Sequence, residues 1–423
     1  MLKFMKIIIL GAGVIGVTTA YFLSRAGHEV VVIDKAAGAG LSATFANGGQ
    51  LSYAYSDSLA NQAMLPKLPG LFLGFEPAFD IKLSADPALL SWGWRFLRNC
   101  TKTRAAFNTK NILRLALYSR LKLHQILAHQ TIRFNYQQNG KLLIYININK
   151  KDFLRAAKQT EIKNQWGCQQ QVLTQAECLA KEPALKSIAN DIVGGIFSPL
   201  DESGDAYLFT TALAKLCAAS GKVQFFYNTE IKELVVDKGR ISQVKTADNH
   251  YSADAFVMCL GAESPLLCRT IGLKLPIYPL KGYSITVPAT PAAPSINITD
   301  VHHKIVYSTL GDNLRIAGML EMCGYDASLD EAKWKKRILQ AALVSFPAAG
   351  DYRQITPWTG FRAGTPDSAP LLGRTCYSNF YLNTGHGMLG WTLACGSAAV
   401  VSDIISNSKP AIELTGLTLE ERF

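Results

Sequence analysis

The sequence predicts an α/β fold in which a Rossmann-like dinucleotide-binding domain is discontinuous and interleaved with an antiparallel-sheet domain. Three observations support this prediction. A strand, a glycine-rich turn, a helix and a second strand occupy residues 6–33. Alternating strand patterns at 278–318 are typical of an antiparallel sheet. A last strand, glycine-rich turn and helix at 379–406 then complete the first domain.

The βαβ unit comes first along the chain. Residues 6–10 are a short β-branched run, which predicts a buried parallel strand. Residues 14–25 predict a helix whose small residues face the sheet, and Gly27 ends it. Residues 28–33 predict the next strand, which ends at Asp34. The unit therefore supplies two parallel strands and the helix that crosses between them.

The turn after the first strand has the spacing Gly-x-Gly-x-x-Gly. Gly11 permits a tight turn, Gly13 lets the backbone approach a pyrophosphate, and Gly16 lets the helix pack on the strand. The helix N-terminus offers free N–H groups and a partial positive charge to phosphates. Asp34 stands about 20 residues further on, where a carboxylate accepts from ribose hydroxyls. The predicted nucleotide contacts here are Gly11, Ala12, Gly13, Val14, Ile15, Gly16, Asp34 and Lys35.

A helical segment is expected at 61–139. Residues 64–79 are apolar but contain Pro66, Pro69 and Pro77, so a regular helix is not expected there. Residues 87–127 predict helices, and eight Lys or Arg residues with no acidic residue occur from 95 to 122. Two interpretations stay open, namely a surface that meets an anionic membrane and a helical lid with solvated basic side chains.

The rest of the chain predicts strands and helices in quick succession. Strands are predicted at 140–146, 194–197, 223–227, 231–236, 240–246 and 255–260. Helices are predicted at 150–165, 174–179, 207–220, 264–270, 331–346 and 391–406. We therefore expect the nucleotide-binding domain to comprise 1–60, 140–265 and 355–423. The antiparallel-sheet domain, which we expect to bind the substrate, then comprises 266–354.

Composition limits the class of protein. Hydrophobic residues make up 48% and charged residues 18% of the 423 residues, which is typical of a globular chain. The net charge of +11 indicates either an acidic partner or a solvated basic surface. No basic–aromatic motif of a nucleic-acid module occurs, so no nucleic-acid partner is expected. The nine cysteines lack zinc-ligand spacing, which predicts a reduced cytoplasmic protein without a metal site.

The apolar run at 1–23 needs a separate interpretation, because secretory signals and membrane spans have similar compositions. Three glycines interrupt the run at the spacing of a nucleotide-binding turn. The nucleotide-binding interpretation is therefore favoured. No other stretch has about 18 uninterrupted apolar residues, so an integral membrane protein is not expected.

Later motifs bear on which dinucleotide binds, since the glycine turn alone leaves FAD and NAD open. Ser42-x-x-x-x-Asn47-Gly48-Gly49-Gln50 follows the βαβ unit, and a strand-to-glycine turn follows at 257–264. Three further motifs come in order, Tyr-Pro-Leu-Lys-Gly-Tyr-Ser at 278–284, Trp-Thr-Gly-Phe-Arg at 358–362 and Asn-Thr-Gly-His-Gly-Met-Leu-Gly-Trp-Thr at 383–392. Together they resemble the D-amino acid oxidase, glycine oxidase and sarcosine oxidase flavoprotein group. Within that group, the chain is most similar to the bacterial D-amino acid dehydrogenases, specifically their FAD-containing small subunit.

This resemblance implies a two-dinucleotide-fold flavoprotein that oxidises a D-amino acid to a 2-oxo acid and ammonia by hydride transfer to FAD. It also implies a membrane quinone as electron acceptor. With the apolar residues 64–79 and the basic residues 95–122, this favours a peripheral position on the inner face of the bacterial inner membrane. No cysteine matches a position for covalent attachment, so noncovalent FAD is expected. The further cofactor contacts implied are Ser42, Asn47, Gly48, Gly49, Gln50, Ile231, Gly261, Gly385, Gly387, Met388, Leu389, Gly390 and Thr392.

Four residues are candidates for the substrate side. The resemblance implies that Arg362 binds the substrate carboxylate, since a guanidinium holds a carboxylate through two parallel bonds. Tyr283 is either a hydroxyl donor to the substrate or a core tyrosine, and Tyr55 is a weaker candidate of the same kind. For His386 we expect the backbone of the glycine turn to matter more than the imidazole. No side-chain base is expected, because hydride transfer needs alignment above all.

Two departures from the family pattern leave substrate preference open. The chain has Arg-Ala-Gly-Thr-Pro-Asp-Ser at 362–368, where members often have Arg-Pro-x-Thr-Pro-Asp-Gly. It has Ser-Tyr-Ala-Tyr at 52–55, where many have Ser-Pro-Gly-Tyr. The nearest alternative is therefore another amine-oxidising flavoenzyme, such as a glycine, sarcosine or hydroxyproline oxidase or dehydrogenase. A separate alternative, left open by the glycine turn alone, is an NAD dehydrogenase. The late glycine motif argues against the latter.

Overall fold

The structure is a computed structural model that describes residues 4–72, 79–82 and 86–422. The strands of the first half are β1 (Lys6–Leu10), β2 (Glu29–Ile33), β3 (Gln50–Leu51), β4 (Phe79–Ile81), β5 (Lys141–Ile146), β6 (Gln171–Leu173), β7 (Ile192–Ser198), β8 (Glu202–Ser203) and β9 (Val223–Phe226). Those of the second half are β10 (Glu233–Asp237), β11 (Arg240–Lys245), β12 (His250–Tyr251), β13 (Ala255–Met258), β14 (Tyr278–Pro288), β15 (Asn297–Asp300), β16 (Ile305–Leu310), β17 (Asn313–Met322), β18 (Thr356–Gly364), β19 (Leu371–Arg374) and β20 (Phe380–Thr384).

The helices lie between these strands. They are α1 (Val14–Arg25), α2 (Leu68–Phe72), α3 (Pro87–Asn99), α4 (Lys102–His129), α5 (Lys150–Gln165), α6 (Gln175–Lys181), α7 (Ala206–Ala219), α8 (Ser264–Arg269), α9 (Glu331–Trp334), α10 (Gln340–Ser345) and α11 (Gly390–Ile405). Short 3₁₀ turns occupy Gln62–Lys67, Asn147–Asn149, Pro183–Asp191, Gly261–Glu263 and Gly387–Leu389. A π-helical turn, Lys335–Leu339, joins α9 to α10.

A six-stranded sheet forms the first domain. Its strand order is β19-β20-β13-β1-β2-β9, and every pair is parallel except the outermost pair, β19 and β20. Helices α1, α7 and α11 cover one face, and the small sheet β10-β11-β12 with α8 covers the other. Burial on both faces explains the continuous apolar runs of β1 and β2. The predicted discontinuous Rossmann-like domain is confirmed, because β20 and α11 complete the sheet that β1 begins.

The second sheet has nine strands among the described residues. Its path is β18-β14-β17-β16-β15-β5-β7-β6, and β4 pairs with β17 beside it. Most neighbours are antiparallel, as predicted; β5 with β15 and β4 with β17 are parallel. The continuous helix from α9 to α10 packs on its outer face through Trp334, Ile338 and Phe346.

Sheet membership differs from the predicted domain boundaries. Strands β5, β6 and β7 lie at 141–198 and β18 lies at 356–364, within ranges that we assigned to the nucleotide-binding domain, yet all four belong to the nine-stranded sheet. The reason is that strand propensity says nothing about which strand a segment pairs with. Strand β18 was not predicted at all, because Pro357, Gly360 and Gly364 interrupt its pattern.

Residues 46–54, which we call the strap, cross the nine-stranded sheet on the face opposite α9 and α10. Residues of successive strands on this inner face form hydrogen bonds with the strap. Ser284 of β14 donates its Oγ to the Ala46 carbonyl at 2.6 Å. Arg315 of β17 donates to the Asn47 carbonyl at 2.8 Å. The strap begins, therefore, at the β14 side of the sheet.

The strap continues across the remaining strands. Ser308 of β16 donates to the Gly48 carbonyl at 2.8 Å. The side-chain amide of Gln50 donates to the carbonyl of Ile298 in β15 at 3.1 Å. The contacts follow the order of the strands in the sheet, so the segment that leaves the nucleotide-binding domain is fixed along its length on the second sheet.

Helices α3 and α4 form most of the segment 61–139. This agrees with the helices predicted at 87–127. Of the apolar stretch 64–79, the part up to residue 72 is a 3₁₀ turn followed by the short α2, and residues 73–78 lie outside the described residues. Among the described residues, one helical stretch, Gly387–Ile405, is long and apolar enough to cross a membrane. Most of it is buried within the protein, where it packs on α1 and α4.

Candidate active site

The glycine turn leaves no room for side chains at two of its three glycines. Gly11 has a φ of +109°, and a Cβ there would lie 2.8 Å from the Cys259 carbonyl oxygen. A Cβ at Gly16 would collide with the Gly11 carbonyl. At Gly13 the nearest atom to such a Cβ is the Thr44 hydroxyl oxygen, 3.6 Å away. The backbone at Gly13 is therefore accessible, beside first-turn N–H groups of α1 that have no intrahelical acceptor.

Asp34 follows directly after β2, next to this turn. Its carboxylate accepts from the Ala12 N–H at 2.6 Å and from the Ala36 N–H at 2.8 Å. A carboxylate has about four acceptor positions, so Asp34 keeps capacity for a ribose. Lys35 instead forms an exposed ion pair with Glu263 at 2.7 Å, and its ammonium is engaged there.

Thr44 was missed by the sequence prediction, which named Ser42. Thr44 is buried, and its hydroxyl accepts from the Val14 N–H at 3.1 Å, at the start of α1. Ser42 is exposed on the loop before it. A short loop of small polar residues was visible in the sequence, but the residue that reaches the helix N-terminus depends on the loop conformation.

The strap carries the Asn-Gly-Gly-Gln motif between the two sheets. Asn47 accepts from the Gly49 N–H at 2.8 Å through its side chain. A Cβ at Gly48 would lie 2.8 Å from Val306, so the strap backbone lies close to β16. Gly49 has a φ of +69°, which favours glycine. These residues and Gln50 therefore present backbone, rather than side chains, at the junction of the two domains.

Two isolated cofactor candidates lie near the β13 end of the six-stranded sheet. Ile231 is half-buried beside the cluster that contains Met258. Gly261 follows β13 with a φ of +55°, and its carbonyl accepts from the Thr384 hydroxyl at 3.2 Å. This bond ties the turn after β13 to the end of β20, so both strand ends open at the same edge.

The last glycine motif follows β20. Gly385 and Gly387 have φ values of +80° and +53°. Met388 is exposed, whereas Leu389 and Gly390 are half-buried, at the N-terminus of α11. Thr392 in the first turn accepts from the Ser52 N–H at 3.0 Å. The strap and the N-terminus of α11 are therefore in direct contact.

His386 anchors this turn from inside. It is 4% exposed, and its Nε2 lies 3.0 Å from the Ser397 hydroxyl of α11. Burial lowers the pKa of His386 to about 3, so the ring is neutral at physiological pH. The backbone of His386 forms a bridge with Gly364 of β18, which brings the turn next to the strand that carries Arg362.

Arg362 lies on the inner face of the nine-stranded sheet. It is paired with Leu280 of β14, and its guanidinium covers Gly282, where a Cβ would collide with it. It donates to the Met319 carbonyl at 2.9 Å. Burial lowers the pKa of Arg362 to about 10. Among the described residues no carboxylate lies within ion-pair distance of Arg362, so its charge is available to an anion.

Tyr283 does not meet Arg362. Side chains alternate along β14, and Tyr283 points to the outer face, where it is 1% exposed in the cluster with Ile285. Its hydroxyl donates to Glu321 at 2.7 Å. The orientation of Tyr283 could not be predicted, because the sequence motif does not reveal the parity of the strand. The alternative of a core tyrosine is the one that the structure favours.

Tyr55 follows the strap on the inner face. Its ring packs in the cluster that contains Leu143 and Tyr145, and the Lys141 Nζ lies 4.5 Å from its centroid. Burial raises the pKa of Tyr55 to about 12, so its hydroxyl stays protonated. Its role as a substrate contact stays a prediction.

A buried lysine and aspartate beside the strap were also missed. Lys141 donates to the Ser52 hydroxyl at 2.9 Å, and Asp201 accepts from the Ala54 N–H at 2.8 Å. Desolvation lowers the pKa of Lys141 and raises that of Asp201. Lys141 and Ser52 are 89 positions apart in the chain, and Asp201 and Ala54 are 147 positions apart. No local sequence pattern could therefore have indicated these contacts.

Comparison with known proteins decides the family. The family model described as "FAD dependent oxidoreductase" (DAO) matches residues 6–404. The chain belongs to this family. A protein named D-amino acid dehydrogenase from Paramagnetospirillum magneticum is 45% identical over 420 residues, covering 98% of each chain. Another of that name from Rhizorhabdus wittichii is 42% identical, covering 98% of this chain and 100% of the relative. The resemblance found in the sequence is confirmed.

Solved structures support the fold. An L-proline dehydrogenase from P. horikoshii superposes with a TM-score of 0.77 at 19% identity, covering 100% of this chain and 99% of the other. A glycine oxidase from Geobacillus kaustophilus gives 0.75 at 21% identity, covering 98% of each. At these identities the likeness concerns the fold alone.

Membership of the FAD-dependent oxidoreductases confirms FAD as the expected dinucleotide. The residues present fit it, because the accessible backbone at Gly13, the carboxylate of Asp34 and the uncapped N-terminus of α11 are what a dinucleotide requires. The strap between them presents backbone to the same region. Noncovalent binding stays a prediction.

Proposed function

We propose that this chain is an FAD-dependent D-amino acid dehydrogenase, which oxidises a D-amino acid to an imino acid that hydrolyses to a 2-oxo acid and ammonia. The observation that carries the proposal is Arg362, a guanidinium on the inner face without a carboxylate partner among the described residues. Support also comes from the relatives, several of which are named D-amino acid dehydrogenase.

Each group has a defined task in this proposal. Arg362 binds the substrate carboxylate through parallel N–H donors and so fixes the orientation of the Cα–H bond. FAD, when bound, supplies the hydride acceptor. The N-terminus of α11 and the backbone of 385–390 provide a positive potential that favours the negative charge added by reduction. Tyr55 borders the region on the inner face and excludes water from it.

The proposal is tested by adding single amino acids anaerobically to the purified protein and following the flavin absorbance band. We expect D-amino acids to bleach the band and their L-enantiomers to leave it unchanged. Sarcosine, glycine and hydroxyproline belong in the same panel. Bleaching by these amines alone would contradict the proposal and favour the alternative of another amine-oxidising flavoenzyme.

We further propose that the protein lies at the cytoplasmic face of an anionic membrane and passes electrons to a quinone. Support comes from α3, where Leu90 and Trp94 are 64% and 65% exposed and Leu97 is also exposed. Arg98 lies on the same helix, and the chain has a net charge of +11. Exposed apolar side chains with basic neighbours are typical of a helix that lies in a membrane interface.

Vesicle sedimentation tests the membrane proposal. The protein should sediment with vesicles that contain anionic lipid, less so at high salt, and Trp94→Ser should weaken this binding. Val344→Ser is the matched control, because Val344 is 62% exposed on α10, away from α3. Equal binding to zwitterionic vesicles, or equal loss in both variants, would contradict it. Anaerobic reduction of a soluble quinone analogue by the substrate-reduced protein tests the electron acceptor separately.

We also propose a revised domain division. The six-stranded sheet with its covering layers forms the FAD-binding domain, and the nine-stranded sheet forms the substrate domain, to which 141–198 and 356–364 are added. Within the segment 61–139, helix α3 is the membrane-facing part, because α4 packs on α11 and β4 belongs to the nine-stranded sheet. Limited proteolysis with and without FAD tests the division, since FAD should protect the connections between the sheets.

A further inference from the structure

The pairing of β14 with β17 contains a β-bulge. Lys281 pairs with Glu321, but Tyr283 pairs with Gly318. One residue of β14 therefore faces two of β17, and Met319 is one of those two. Met319 has a φ of +61°, a left-handed conformation that is unfavourable for a side chain with a Cβ. Something in the surrounding structure must therefore hold the bulge.

The bulge positions Arg362. The carbonyl of Met319 accepts the hydrogen bond from the Arg362 guanidinium at 2.9 Å. Gly282, the residue of β14 opposite the bulge, leaves the space that this guanidinium fills. The position of the cation on the inner face therefore depends on a carbonyl that only the bulge presents in this direction.

A buried polar cluster holds the bulge from the outer face. Glu321 is 5% exposed and accepts from the Tyr283 hydroxyl at 2.7 Å. The Lys281 Nζ lies 3.6 Å from the same carboxylate, which also pairs with Lys333. Tyr283 and Glu321 thus join β14 to β17 across the point where the register shifts. Buried charges of this kind are costly to desolvate, which favours a role beyond stability.

We propose that Tyr283 and Glu321 are positioning residues, which hold the Met319 bulge and thereby fix Arg362 for the substrate carboxylate. This inference rests on the proposed function, in which Arg362 binds that carboxylate. Neither residue touches the substrate, because both lie on the opposite face of the sheet from Arg362.

The expected effect concerns carboxylate binding. Tyr283→Phe removes one donor to Glu321 and loosens the bulge, so the affinity for a carboxylate should fall about 10-fold, as for one lost bond to a charged group. The kcat at saturating D-amino acid should change by no more than about twofold, because the bound geometry is recovered once the carboxylate is in place. Glu321→Gln should act in the same direction.

The experiment uses the purified holoprotein and propionate as the probe. Propionate binding is followed by the change in flavin absorbance, and KM and kcat are measured with one D-amino acid. The matched control is Tyr307→Phe, because Tyr307 is 0% exposed in the same outer cluster and lies on β16, where it pairs with Ile316 rather than with the bulge residues. Arg362→Ala and the double variant with Tyr283→Phe complete a mutant cycle.

The outcomes separate the two proposals. Weaker propionate binding in Tyr283→Phe but not in Tyr307→Phe, with no further loss in the Arg362→Ala background, supports the inference. If Arg362→Ala weakens binding while Tyr283→Phe and Glu321→Gln behave like the control, the positioning role is overturned and the proposed function stands. If Arg362→Ala itself leaves propionate binding unchanged, the proposed carboxylate site is overturned. Should Tyr283→Phe fail to fold, Glu321→Gln decides by the same criteria.

Discussion

The nucleotide end of the site, at residues 11–34, consists of the glycine-turn backbone and the Asp34 carboxylate, whereas the substrate end depends on strands far apart in the chain. At the nucleotide end, Gly16 packs against the Gly11 carbonyl only five positions earlier, and Gly11 packs against the carbonyl of Cys259, which follows β13. At the substrate end, Arg362 depends on Gly282 and on Met319, 43 positions earlier. The comparison shows that the glycine turn can be recognised from a local sequence pattern, while the position of Arg362 is specified by strand register.

The largest effect is expected from a substitution that disrupts the nucleotide end of the site. Gly16→Ala places a methyl group where the Gly11 carbonyl lies, and the turn cannot move without separating α1 from β1. We expect the purified protein to lose nearly all flavin, since overpacking of this kind costs about 3 kcal/mol or more. The ratio of flavin to protein absorbance measures it. Gly93→Ala in α3, where no atom lies within 4 Å of the added Cβ, is the control and should retain flavin.

The next largest effect is expected from a substitution that disrupts the substrate end of the site and leaves the nucleotide end intact. Arg362→Ala removes the two donors to the carboxylate, which should raise KM for D-amino acids about 100-fold, or about 3 kcal/mol. Flavin content should not change, because Arg362 lies on the second sheet. Arg353→Ala, at a 91% exposed side chain, is the control. An unchanged KM would remove Arg362 from the site.

A smaller effect sharpens the comparison within the substrate end. Gly282→Ala adds a Cβ where the Arg362 guanidinium lies, so the cation must shift while its charge remains. We expect KM to rise about 10-fold with flavin content unchanged, which is less than for loss of the whole side chain. Ile285→Val, on the same strand but the outer face, controls for a general weakening of β14. Loss of flavin in Gly282→Ala would show that the two ends are not independent.

The same contrast explains what the sequence could predict. The βαβ unit, the glycine turn and the late Gly-rich motif are local patterns, and the discontinuous FAD-binding domain followed from them. The pairing of β5 with β15 and the contact of Lys141 with Ser52 join segments about 156 and 89 positions apart in the chain. The parity that turns Tyr283 outward depends on how β14 pairs with β17 and β18, which lie further along the chain. Alternation along a strand identifies two faces but not which one meets the substrate.

The smallest expected effect concerns His386 and the pH dependence. Burial gives His386 a pKa of about 3, so lowering the pH to 5 does not protonate it, and its titration contributes nothing to activity between pH 5 and 10. We expect kcat/KM to rise about tenfold per pH unit below the pKa of the substrate amine, because only the neutral amine reacts. His386→Gln keeps a hydrogen-bonding group near Ser397 and should leave that slope unchanged, with at most about 1 kcal/mol lost in stability. If the pH dependence of kcat/KM disappears in His386→Gln, the titrating group is the imidazole of His386. That result would contradict our expectation that the backbone of the glycine turn matters more than the imidazole.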